Sequence, residues 1–208
     1  MSVEIKKRKY DSEDSRRRLI RAGIDVFSKE GFDAATTRTI AKKAGVNEAL
    51  IHRYFKNKSG LLLAAMTEFH QNVHAEPPYA IAESVEEEIK HFFQFRLEIA
   101  HRERKFIKLS IVRAILNKKV KQQIEETLRN GTPALMKRLE QFRTEGKIKP
   151  TVDLDHLCTL LGGISFSMVL FSGILKDLEP KYIDSVTTLA AKLIADGLTP
   201  KNTRAQSG

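Results

Sequence analysis

Apolar residues return every three or four positions along nearly the whole chain, which is the spacing of helices that bury one stripe. Ser12 to Glu30 sets Leu19, Ile20, Gly23, Ile24 and Phe27 on a single face, and Gly31 then stops the pattern. Thr36 or Thr37 can cap a short helix carrying Ile40, Ala41 and Ala44, which Gly45 ends. Asn47 can cap a second short helix, Glu48 to Tyr54, before a longer one starts near Lys58 and runs through Leu61, Leu62, Ala65, Met66 and Phe69. Alternation of the strand type and internal repeats are both missing. The expected fold is therefore all-α, with about nine helices.

The remainder follows the same rule. Pro77 and Pro78 interrupt the pattern, and Ser84 with Glu87 has the form of a capping box opening a helix with Ile89, Phe92, Phe93, Arg96 and Ile99. Further helices are expected over about 103–116 and along Val120, Ile124 and Leu128. Thr132 and Pro133 then suit a cap and first turn, and Gly146 a stop. Asp153 can cap an apolar helix, and Pro180 can start a last one ending at Gly197.

Charge is uneven. Residues 1–60 hold 15 lysines and arginines against 8 acidic residues, whereas residues 61–208 hold 21 against 18. A basic first third suits a polyanion, either nucleic acid or an anionic membrane, and also suits a solvated face. The single cysteine, Cys158, excludes an intramolecular disulfide framework and a cysteine-rich zinc site. Met1 to Arg21 is charged throughout, unlike a secretory signal, so a cytoplasmic location is expected. Leu157 to Leu175 is a nineteen-residue stretch without charge, compatible with a bilayer span or with burial between protein surfaces.

The most informative stretch is 36–55. Two short helices joined at Gly45 have the form of a helix-turn-helix, with Ile40, Ala41, Ala44, Val46 and Ile51 able to fix their crossing. The second helix would enter the major groove with Glu48, Ala49, Leu50, His52 and Arg53 near the DNA, and Thr36, Arg38 and Asn47 are further DNA-contact candidates. Thr37, Tyr54 and Lys58 could grip flanking phosphates.

The pattern extends beyond the motif. Arg18-Leu19-Ile20-Arg21-Ala22-Gly23, Val26-Phe27, Gly31-Phe32, Thr36-Thr37, Ile40-Ala41, Ala44-Gly45-Val46, Tyr54-Phe55-Lys56-Asn57-Lys58 and Leu61 together resemble the TetR family over about residues 15–63. Ala49, His52 and Tyr54 depart from residues usual in that family. The resemblance implies a transcriptional regulator, a repressor released from a palindromic operator by a small, largely apolar effector. It also implies a homodimer whose last two long helices pair with the partner's. Leu157, Leu161, Gly162, Ile164, Met168, Phe171 and Leu175 would supply one helix of that interface, and Ile183, Val186, Leu189, Ala190 and Leu193 the other. This favours burial over a membrane span. The expected organisation is a flexible basic tail (1–11), a DNA-binding domain (12–60), an effector-binding and dimerisation domain (61–200) and a disordered tail (201–208).

Phe69, Phe92, Phe93, Phe106 and Phe166 are candidates for lining an apolar effector cavity, and equally for ordinary core. His70 and His74 have a chelating i, i+4 spacing without an obvious third ligand, and Asp153, Asp155 and His156 suit a helix start, so neither a metal nor a cofactor is expected. No Gly-rich phosphate loop or G-x-S-x-G elbow supports an enzyme. The competing classes are a basic helical protein binding nucleic acid non-specifically and a helical small-molecule binding protein or enzyme.

Overall fold

A computed structural model of the chain describes residues 2–73, 77–122, 133–171 and 179–200, with the backbone alone for 2–11, 70, 72, 73 and 180. Every regular element among the described residues is a helix: α1 (Ser2–Ala34), α2 (Thr37–Ala44), α3 (Ala49–Phe55), α4 (Lys58–Val73), α5 (Val85–Arg102), α6 (Arg104–Leu116), α7 (Pro133–Thr144), α8 (Leu154–Val169) and α9 (Pro180–Leu198). Helical backbone also resumes over 118–122, where the Asn117 carboxamide accepts from the Lys119 and Val120 amides.

The chain forms two compact units. The first joins residues 1–72 to 105–129, so α6 packs with α1–α4. Its core contains Leu19, Ile20, Phe27, Ile40, Ile51, Leu61, Leu62, Met66 and Phe106. Phe69 meets Phe106 edge-on, with ring centroids 5.4 Å apart. Both rings thus belong to the packing of this unit, which fits the ordinary-core reading of these two aromatics.

The second unit joins residues 73–104 to 130–208. Here α5 is central and packs against α8 and α9, while α7 packs on α8. Ile89, Phe93, Leu139, Phe142, Ile148, Leu161 and Ala191 form the fully enclosed part of its core, with Phe92 beside them. One ion pair lies inside it. Arg138 Nη1 on α7 donates to Glu88 Oε1 on α5 at 3.0 Å, and both side chains are almost completely buried. Arg138 Nη2 also donates to the Tyr79 carbonyl at 2.8 Å, and Glu88 Oε2 accepts from the Ala82 amide. The pair therefore pins the 77–84 segment to the start of α5.

Most boundaries follow from local chemistry. Ser84 Oγ accepts from the Glu87 amide, Asp153 from the His156 amide, and Pro133 and Pro180 open their helices. Two expectations are corrected. Residues 2–11 continue α1 in place of a loose tail, since no glycine or proline occurs from Ser2 to Ala22 and lysine, arginine and glutamate are good helix formers. Gly197 does not end α9. The helix runs through it to Leu198, which is buried, and the Thr199 amide closes the last turn on Ala195. Thr132, Ile124, Leu128 and the tail 201–208 lie outside the described residues, as do the end of the uncharged stretch (172–175) and His74. Among the described residues no helix is long and apolar enough to cross a membrane.

Candidate nucleic-acid interface

The head is built around a turn that only certain residues can make. Thr36 is extended (φ −111°, ψ 152°), and its hydroxyl oxygen accepts from the Thr39 amide at 3.0 Å, capping α2. At the other end Gly45 is left-handed (φ 65°, ψ 36°), a conformation that glycine adopts without a Cβ penalty. The Val46 amide then returns to the Ala41 carbonyl at 3.1 Å, while Arg18 reaches the Ala44 carbonyl. Asn47 Oδ1 accepts from the Ala49 amide at 2.8 Å and starts α3. Ile40, Ala41 and Ala44 of α2 and Ile51 and Phe55 of α3 are buried together, which fixes the angle between the two short helices.

What remains outward is the reading face. Ala49, His52, Arg53 and Lys56 are all exposed and share one side of α3, with Thr36, Arg38, Lys42 and Asn47 exposed on neighbouring backbone. His52 Nδ1 lies 3.2 Å from the Lys56 carbonyl, which orients the imidazole along the helix. Arg53 sits over the Tyr54 ring at 5.9 Å. Lys43 is tied to Asp25 of α1, and this contact, foremost among several, holds the Asp25 carboxyl below its ordinary value.

Several expected contact residues are engaged inside the head. Thr37 Oγ1 donates to Glu48 Oε1 at 2.6 Å, so these two side chains brace α2 against the turn before α3. Leu50 is half-buried against the head core. Tyr54 pairs its hydroxyl with Ser12 of α1 at 3.1 Å. Lys58 differs most from expectation. Its ammonium donates to the carbonyls of Phe32 (2.8 Å), Asp33 (3.3 Å) and Ala35 (2.8 Å), and lies 4.6 Å from the Phe32 ring centroid. Three donors meet three carbonyls left open where α1 ends, so Lys58 is a clamp here and does not extend as a phosphate grip.

Lys58→Ala is therefore expected to destabilise the head by about 2 kcal/mol, the range for hydrogen bonds to a charged group. Urea unfolding measures this. A lysine that instead bound phosphate would leave stability alone and lower the salt slope of DNA binding by about one.

Lys56 was missed as a contact candidate. It is exposed at the end of α3 with a positive φ (70°), and the basic run Lys56-Asn57-Lys58 was the signal that could have found it.

The expected dimer helices divide by exposure. Leu157 and Leu161 point into the core of the second unit, because the inward stripe of α8 needs the residues that follow Leu154 at helical spacing. Leu175 lies outside the described residues. Leu160 (54% exposed) and Phe166 are outward on α8, with Phe171 exposed just past its end, so Phe166 faces away from the core. Ile164 and Met168 are half-buried between the two stripes. On α9 the outward stripe is Tyr182, Leu189 and Leu193 (63% exposed), flanked by half-buried Ile183, Val186 and Ala190. A Cβ on Gly162 or Gly163 would meet no other element within 4 Å among the described residues. Leu160 and Tyr182 belong to these stripes but were not singled out from sequence.

Residues 19–65 match the family described as bacterial regulatory proteins, tetR family. Among similar proteins, HTH-type transcriptional regulator BetI of Klebsiella pneumoniae is 47% identical over 51 residues, covering 24% of this chain and 26% of that protein. The regulator YvkB of Bacillus subtilis is 43% identical over 56 residues, covering 27% and 30%. The chain thus aligns with less than a third of the length of these relatives. Solved structures match more of the fold at lower identity. A Rhodococcus sp. protein assigned to the TetR family has a TM-score of 0.74 at 14% identity, covering 88% of this chain and 99% of the other. Bacillus subtilis FadR in complex with stearoyl-CoA has 0.62 at 20% identity, covering 88% and 98%.

Proposed function

We propose, from the match of residues 19–65 to the tetR family of bacterial regulatory proteins, that the chain is a sequence-selective DNA-binding transcriptional regulator of the cytoplasm, and a repressor released by a small effector. The observation that carries this is the braced pair α2–α3, with Ala49, His52 and Arg53 outward on one face. A helix held at a fixed angle, with its polar side uncovered, can enter the major groove without rearrangement. Arg53 is the strongest candidate for a base contact, since a guanidinium can take both guanine acceptors. Thr36, Arg38, Asn47 and Lys56, exposed beside that face, are candidates for flanking phosphate contacts.

One seven-residue helix reads few base pairs, so operator selection needs two, spaced about 34 Å apart on a dyad. The outward stripes of α8 and α9 support a homodimer, since Leu160, Phe166, Phe171, Leu189 and Leu193 leave a run of apolar side chains uncovered. For the effector, a largely apolar molecule within the second unit is favoured. The FadR structure of the same fold holds stearoyl-CoA, a ligand with a long hydrocarbon chain on a charged coenzyme A.

Selection of bound sequences from random duplexes tests the reading. A palindromic consensus is expected. Arg53→Ala should weaken its binding roughly 10-fold to 100-fold, the worth of a good bidentate base contact, and relax one position per half-site. Changes at Glu48 or Leu50 should act through head stability, because both are engaged internally. Equal binding to all duplexes, with only a salt dependence, would replace this reading with non-specific nucleic-acid binding.

A further inference from the structure

The second unit holds a half-buried cation, Arg96, with no partner among the described residues. Arg96 lies three residues past Phe93 and three before Ile99, on the arc of α5 that turns into the core. Its Nη1 is sealed from solvent and has no hydrogen-bond partner. Burial lowers its pKa to about 10, which still leaves it fully cationic at neutral pH. Buried guanidinium groups are costly unless paired, and the neighbouring cations obey that rule. Arg138 is matched by Glu88, and Lys90 lies 3.7 Å from Asp184. Among the described residues Arg96 is thus left as a single cation with no carboxylate beside it.

Two further polar atoms nearby share the deficit. The Tyr79 hydroxyl and His91 Nδ1 are both buried without a hydrogen-bond partner, and their rings lie 5.3 Å apart. Tyr79 also meets Phe95, the residue before Arg96, at 6.0 Å. Burial, reinforced by the nearby Glu88 carboxylate, pushes the Tyr79 phenol above its ordinary value, so it stays a donor. Unsatisfied buried polar atoms are rare in folded proteins, and two on α5 with a third on the segment packed against it ask for a ligand.

We propose that α5 carries the receptor for a singly charged anion: Arg96 pairs with the carboxylate of an otherwise apolar effector, and Tyr79 and His91 bond the remaining lone pairs of that carboxylate. The inference rests on the effector-controlled reading above and adds the chemical class of the effector. A guanidinium fork matches a carboxylate in two parallel hydrogen bonds. The buried Phe92 and Phe93, one turn back along the helix, suit a hydrocarbon or aromatic body. A coenzyme A thioester brings several phosphate charges, for which one unpaired arginine is too little compensation.

Full-length protein with Arg96 intact, Arg96→Lys and Arg96→Met should be titrated by calorimetry and thermal shift. The probes are hexanoate, decanoate, hexadecanoate and benzoate, their methyl esters, and hexadecanoyl-coenzyme A. At least one acid should bind the parent protein ten-fold or more tighter than its ester. Arg96→Met should erase that preference while changing ester binding less than two-fold, and Arg96→Lys should keep part of it. Ligand-free Arg96→Met should melt no lower than the parent, because it removes an unpaired buried charge.

The assignment is overturned if no acid is preferred over its ester, or if the preference survives in Arg96→Met. Tighter, Arg96-dependent binding of the coenzyme A thioester overturns the single-charge assignment. The selected operator duplex separates the two readings. Arg96-dependent acid binding that never changes operator affinity sinks effector control and leaves the site standing. Operator release by the esters as readily as by the acids does the reverse.

Discussion

Glu88→Ala is expected to lower the stability of the chain by about 3–5 kcal/mol, the range found when one member of a buried ion pair is removed. The loss comes from what stays behind. Arg138 would remain enclosed and lose the Glu88 carboxylate, and the Ala82 amide would lose its acceptor. For a chain of this length that corresponds to a fall of roughly 10 °C in melting temperature. Glu88→Leu combined with Arg138→Met should recover most of the loss, since an apolar pair of similar volume carries no buried charge. Recovery would be incomplete, because the 77–84 segment would still lack its anchor to α5. Urea unfolding of the two single variants and the double variant provides the cycle. A single-variant loss below about 1 kcal/mol would show that water reaches the pair in solution.

Gly60→Ala should be comparably damaging, at about 3 kcal/mol, near the upper end for overpacking. A Cβ at this position would fall inside the van der Waals envelope of the Phe55 carbonyl oxygen. That atom is main chain, so no rotamer change can clear it. Either α3 or the start of α4 must shift, and the Gly60 amide would then leave the Asn57 carboxamide that caps α4 at 2.9 Å. Since Phe55 closes the recognition helix, the same shift should disturb DNA binding, with at least ten-fold weaker binding to a selected operator. Hydrogen exchange should show the faster opening confined to residues of the first unit. Unchanged operator affinity with unchanged stability would mean the turn has slack that the close approach does not suggest.

Much of the head could be read from sequence because its signals are local. Thr36, Gly45, Asn47 and Ser84 each act on backbone within a few residues, and periodicity places Ile40, Ile51 and Leu61 in the core without knowledge of any distant element. The contact residues were less legible for the opposite reason. Thr37 and Glu48 find each other across the turn, and Lys58 finds carbonyls more than twenty residues away. Such pairings depend on tertiary geometry, and a charged residue beside a DNA-binding motif gives no hint that its donors are already used. The α8 stripe failed differently. A nearly uniform apolar stretch has a weak phase, so Leu157 and Leu161 could be assigned to the outside and Leu160 overlooked. Arg96 appeared in the periodic pattern of α5, but its lack of a partner is a property of the whole interior.

The packing of α6 bears on how this chain could be recombined. A cut at residue 60 or 73 separates sequence segments but not folded bodies. Phe106 belongs to the hydrophobic core of the first unit, Arg113 pairs with Asp33 at 2.7 Å, and its guanidinium lies 4.2 Å from the Phe32 ring centroid. A chimaera that kept α1–α4 and took everything after them from another protein would uncover Phe69 and leave Asp33 without its arginine. For such grafts the heritable module is discontinuous, and a transplanted head would have to bring α6 with it or receive a donor helix with an aromatic and an arginine seven positions apart.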